Sequence, residues 1–153
     1  MNARITVFTF KQGLLSRAAH DLKIAVDSLT LDEQLNATLD ARSLRVVCAM
    51  KDGREDHGAL SSSDRAKIQA SINKDVLHTH RFPQIRFTAQ ERSEHLVVGL
   101  LELHGVTREV QLRLHGPEAR VRLHQPDYGI RPYSAMMGAL QVKPGVEVLI
   151  ELG

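Results

Sequence analysis

The sequence predicts a mainly β protein, an antiparallel barrel of about eight strands with one helix inserted mid-chain. Three observations carry this. Apolar residues recur at every second position in about eight short segments, which gives most of them a single apolar face. Only one stretch shows the four-residue spacing of a helix. A meander that buries one face must close on itself or stack, and one helix cannot cover a sheet of that width, so closure with the helix over an end or a seam removes most unpaired edges.

Near the start, Ile5 and Val7 share a face, with Phe8 and Phe10 on the other, and Gly13 breaks the run before LLSRAAHD, which reads as a short turn or helical piece. Leu22, Ile24 and Val26 then alternate, and the phase slips at Leu29 and Leu31. That slip predicts a turn or bulge near Asp27 and Ser28. Alternation resumes at Leu35, Ala37 and Leu39, and a further extended segment from Leu44 to Met50 leads into the polar loop KDGREDHG.

In residues 61–91 the period changes across one proline. Ile68, Ile72 and Val76 lie four apart on one helical face, whereas Ile85, Phe87 and Ala89 lie two apart on one strand face. Ser61 to Ser63 supply N-cap hydroxyls, and Asp64 sits where the helix dipole favours an anion. Pro83 lacks an N–H and pushes Phe82 out of helical geometry, so the helix should be over by about Phe82.

The second half reads as strands. SEHLVVGLLELHGVTREVQLRLHG gives two strands joined at His104-Gly105-Val106-Thr107, with Gly105 free to take positive φ. Gly116-Pro117 turns the chain into Ala119, Val121 and Leu123. PDYGIRPYSAMMG must be irregular, and Val146, Val148, Ile150 and Leu152 form a terminal strand.

A length of 153 residues suits one domain, residues 1–153, with a real core. A net charge of +2 with interspersed signs, few aromatic residues and no Trp gives no nucleic-acid surface, so Arg108, Arg113, Arg120 and Arg122 are expected on a solvated outer face. Cys48 is the sole cysteine and cannot form an internal disulfide. No apolar run approaches membrane-helix length and no cationic leader precedes Arg17, so a soluble, cytoplasmic protein is expected.

Several side chains invite chemistry. His78-Thr79-His80 places two histidines two apart, facing different ways on a helix and without a Cys pair or Glu-His motif, so they are expected to cap the helix C-terminus and not to bind metal. His20-Asp21 with Ser16 could suggest a triad, but no strained nucleophile turn such as G-x-S-x-G exists. Met136-Met137 reads as a pliable lid or a gap filler, and Tyr128 and Tyr133 as rim residues or ordinary surface. No catalytic residue, metal or cofactor is expected.

Several stretches in order resemble the YceI-like family: SRAAHDLKIAV, DARSLRVV, VLHTHRFPQIRF with its F-P-x-I-x-F segment, GLLELHGVTREVQLRL with its hairpin H-G-V-T, and DYGIRP. The resemblance implies a lipocalin-like barrel that binds, stores or transports an apolar lipid, an isoprenoid or a quinone, without catalysis. It implies burial of the tail among Phe8, Ile24, Leu39, Ile85, Phe87, Leu101, Leu112 and Ile150. Arg17 and His20 then stand either near the mouth, touching a polar head group, or in the turn after the first strand, satisfying backbone groups. Both phases of the strands carrying Phe8 and Leu101 are apolar, so the pattern leaves their direction open. A metal-dependent or His-based enzyme and a filled barrel serving as a protein-interaction module stay as alternatives, and exposed strand edges leave room for a homodimer.

Overall fold

The computed structural model describes residues 1–13 and 19–153, with only the backbone of Met136. The piece expected in LLSRAAHD lies mostly outside the described residues. The alternating segments become fourteen strands: β1 (Ala3–Thr9), β2 (Lys11–Gln12), β3 (Asp21–Val26), β4 (Leu29–Leu31), β5 (Ala37–Asp40), β6 (Leu44–Lys51) and β7 (Arg54–Asp56) before the helix, then β8 (Gln84–Arg92), β9 (Leu96–Leu103), β10 (Val106–His115), β11 (Glu118–His124), β12 (Ser134–Ala135), β13 (Leu140–Val142) and β14 (Gly145–Leu152). Eleven form one antiparallel sheet in the order β4-β5-β8-β9-β10-β11-β14-β1-β3-β6-β7, which curls into a half-barrel, and β12, β13 and β2 form a small second sheet.

The count exceeds about eight because five short strands, β2, β4, β7, β12 and β13, join the longer ones, and two runs bend. β3 and β4 are halves of residues 21–31, and β5 and β6 are halves of 37–51. The bend falls at Asp27 and Ser28, where the phase slips. Hydrogen bonds carry the ladder round it: Asp27 N–H donates to Ser43 O at 3.0 Å and Asp40 N–H to Ser28 O at 3.0 Å. The facing run turns through a 3₁₀ segment, Ala41–Ser43, opened by the Asp40 carboxylate accepting from Arg42 N–H at 2.9 Å. Because β3 pairs with β1 and β5 with β8, this one bent hairpin links the two ends of the curl.

Strand β7 was not expected. It arises within KDGREDHG because Asp52 and Gly53 both adopt left-handed backbone, φ 52 and 76, the combination a two-residue hairpin turn needs. His104 and Gly105, φ 54 and 76, make the same kind of turn between β9 and β10. Residues 126–138 are largely irregular as expected, save for a 3₁₀ turn at Gln125–Tyr128, the short strand β12 and a 3₁₀ turn at Met136–Gly138, and β13 follows them.

Helix α1 (Ser62–Ser71) starts as the sequence indicates. Ser61 Oγ accepts from Asp64 N–H and the Asp64 carboxylate accepts from Ser61 N–H, each at 3.0 Å. Those hydrogen bonds hold the Asp64 carboxyl below its ordinary range. The regular helix stops well short of Phe82. Ile72–Val76 form a wider π turn, closed by Leu77 N–H donating to Ile72 O at 2.8 Å, and His78 then takes left-handed backbone at φ 48. Ile68, Ile72 and Leu77, with Ile85 of β8, pack against Leu22, Ile24, Leu44, Val46 and Leu60, so the helix covers the seam beside β6. There Val46 N–H donates to Gln69 Oε1 at 3.1 Å, which satisfies a strand-edge donor that would otherwise lack a partner. Among the described residues no helix is long and apolar enough to cross a membrane.

Candidate ligand cavity

The inward faces enclose a cavity of about 250 Å³. Ile5 and Val7 of β1, Ile24 of β3, Leu39 of β5, Ile85 and Phe87 of β8, Leu101 of β9, Leu112 of β10, and Val148 and Ile150 of β14 all line it. The wide turn after α1 adds Ile72, Val76 and Leu77. Among the described residues the lining includes no Asp, Glu, Lys, Arg, His or Cys. Its polar members are Thr9, Gln125 and Tyr128. Gln125 is occupied structurally, since its Nε2 donates to Lys143 O at 3.2 Å. Tyr128 is 3% exposed, and burial pushes its phenol up from the usual value.

Of the residues expected to meet a tail, Ile24, Leu39, Ile85, Phe87, Leu101, Leu112 and Ile150 share this interior. Phe8 does not line it. On β1 the neighbours Val7 and Thr9 point inward, and Phe8 lies opposite Lys23 and Glu147 on the outer face. The apolar Phe8/Phe10 phase concealed that choice. His20 is exposed and away from the lining, with Asp64 among its charged neighbours, and Arg17 falls outside the described residues. Tyr128, expected at a rim or surface, is buried beside Ile130, and Met137 is fully exposed. Arg113, Arg120 and Arg122 stand on the outer face as expected, where Arg120 meets Glu147 at 2.8 Å. Arg108 does not: it lies opposite the cavity-lining Leu101, in phase with Val110 and Leu112, and is exposed with its charge near Tyr128. The residues that sequence reasoning missed, Gln125, Leu77 and Ile130, come from irregular segments with no period to reveal direction.

A family model described as a YceI-like domain matches residues 3–153. The chain belongs to the YceI-like family. Among solved structures it is similar to a polyisoprenoid binding domain from Saccharophagus degradans implicated in plant cell wall breakdown, at 13% identity and TM-score 0.57, covering 99% of this chain and 94% of that one. It also matches a mutant CJ YceI protein with a monobromobimane guest, at 12% identity and TM-score 0.46, over 67% of this chain and 66% of that one. A search of the curated proteins returns no match.

Two of the stretches that resemble the YceI-like family meet in space. Phe82, from F-P-x-I-x-F, packs against His104 of the H-G-V-T turn with the rings tilted by 49° and 4.4 Å between centroids. Gly105 lies against the same ring, since a Cβ there would come 2.7 Å from Phe82 Cε1. His78 Nδ1 and His104 Nε2 are 2.9 Å apart, and His104 Nδ1 is 3.2 Å from Tyr128 O. A carbonyl only accepts, so Nδ1 of neutral His104 carries the proton and its Nε2 accepts from His78 Nδ1–H. Burial, with His78 and Arg81 nearby, lowers the His104 pKa and favours that neutral form. The histidine after the helix is therefore tied to a hairpin turn, in place of the expected capping of helix carbonyls.

Proposed function

We propose that this chain is a non-catalytic binding protein that takes an apolar lipid tail, isoprenoid or quinone, into the barrel for storage or transport. The observation that carries this reading is a cavity of about 250 Å³ whose wall, among the described residues, carries no carboxylate, imidazole, thiol, amine or guanidinium group. Such a wall has no general base or activated nucleophile to offer, and what it does well is exclude water from hydrocarbon. At about 0.8 kcal/mol per buried CH₂, a dozen carbons nominally outweigh the ordering cost of one flexible ligand.

The size favours a slender chain. Pockets for compact small molecules run to roughly 300–1,000 Å³, so this interior suits part of an extended tail better than a bulky ring system. Ile24, Leu39, Ile85, Phe87, Leu101, Leu112 and Ile150 would then contact the tail, within a single binding unit spanning 1–153. The similar Saccharophagus degradans domain, a polyisoprenoid binding domain, is consistent with this class of ligand. Mass spectrometry of organic extracts from the purified protein is expected to release a lipid, and added polyprenol or quinone is expected to raise Tm. Absence of both effects would sink the reading.

A further inference from the structure

On the outer face of the sheet, away from the cavity, the β6–β7 hairpin gathers three side chains of different ligating chemistry. The register shift in β3 and β6 creates the arrangement. Lys23 pairs with Cys48 but the next residue, Ile24, pairs with Val46, so Val47 is an extra residue that resets the alternation. Val46 stays inward with Ile24, while Cys48 joins Lys23 outside. Cys48 is nonetheless 1% exposed, with β7 paired alongside its strand.

Glu55 of β7 and His57 just beyond it are exposed around that thiol. Cys48 Sγ, a Glu55 carboxylate oxygen and a His57 ring nitrogen all lie within 4.8 Å of one another. Glu55 Oε2 is 3.7 Å from His57 Nε2, while Glu55 Oε1 accepts from Lys23 Nζ at 2.8 Å. Lys23 therefore holds one carboxylate oxygen and leaves the other turned toward the imidazole, as an outer-shell partner does at a metal centre. We propose that Cys48, Glu55 and His57 form a binding site for a thiophilic divalent cation of the zinc class, with a fourth position open to water.

The distances suit that ion. With Zn–S near 2.3 Å and Zn–N or Zn–O near 2.0–2.1 Å, tetrahedral donors stand about 3.3–3.6 Å apart. The Glu55–His57 pair is close to this already, and rotation of those two exposed side chains over the fixed thiol closes the remainder. Thiolate and carboxylate together balance the dication. On binding, the Cys48 S–H bond is replaced by an S–metal bond and the proton leaves to solvent. The site lies across the sheet from the cavity, so it does not require a bound lipid.

Metal-stripped protein without a His-tag, titrated with Co²⁺, is expected to develop a thiolate-to-cobalt charge-transfer absorption that saturates at one equivalent and is abolished by Zn²⁺. Cys48→Ser should eliminate the band. His57→Ala, at an exposed position that leaves the fold intact by thermal melting, should weaken Co²⁺ binding at least about tenfold. No band in the wild-type protein, or unchanged affinity in both His57→Ala and Glu55→Gln, overturns the proposal.

Discussion

The ring of Phe87 occupies the space where residue 99 would carry a side chain: a Cβ on Gly99 would sit 2.5 Å from Phe87 Cζ. Both residues face inward, Phe87 from β8 and Gly99 from β9, with Ala89 directly across from the glycine. The same Cβ would sit 2.5 Å from Thr88 O, so a ring and a strand carbonyl both fill that space.

Gly99→Ala should therefore force Phe87 toward the interior. Overpacking of this kind costs about 1–3 kcal/mol, more than any gain in strand propensity. Urea denaturation should show the loss, and the variant should retain less lipid. A stability equal to wild type would mean that the ring and the Thr88 carbonyl both give way at no cost.

The phase of β1 and β9 can be tested by bulk. Leu101→Trp places an indole among the lining residues and should exclude the tail while the fold persists by circular dichroism. Phe8→Ala alters the outer face and should leave lipid content per mole unchanged. Equal lipid loss in both variants would contradict the inward and outward assignment.

The contacts of His104 make stability depend on pH. In the unfolded chain this imidazole takes up a proton near pH 6.5, and in the folded protein only at a lower pH, mainly because it is buried. Between those values the unfolded state binds the extra proton. The contribution is full above about pH 6.5 and is lost as pH falls below it. Urea midpoints measured between about pH 7.5 and pH 5.5 should decline more steeply in wild type than in His104→Asn. Parallel slopes would remove His104 as the cause.

The helix start offers a local test. Ser61→Ala removes the acceptor for Asp64 N–H and should cost about 1 kcal/mol. Because α1 covers the seam beside β6, amide exchange at Val46 should quicken in the same variant. Destabilisation without faster exchange there would show that the seam does not depend on the cap.

The strands were legible in the sequence because burial on one face writes a period of two, and Asp27-Ser28 was legible because the bend breaks that period. The direction of Phe8 was not, since both faces of β1 are apolar: one meets the cavity and the other shelters on the outside between Lys23 and Glu147. The early end of α1 was hidden as well. Pro83 sets only an outer limit, whereas the π turn at Ile72–Val76 accompanies docking of the following loop on His104 and Gly105, contacts distant in sequence. The cavity wall followed wherever strand phase was unambiguous, as at Ile24, Leu39, Leu112 and Ile150, and failed at Gln125 and Ile130, which belong to a segment without a period.

Strand β14 lies between β11 and β1 and is, among the described strands, the last to leave the ribosome. Until it is made, β1 and β11 each present a bare edge, and the leucines and valines destined for the interior face the surrounding medium. Closure thus waits on one late insertion between strands whose sequence positions are more than a hundred residues apart, the kind of pairing that is slow because so much chain must be ordered first. During that interval the half-made sheet is the species most exposed to association with other chains, and the hazard ends when the terminal strand is inserted.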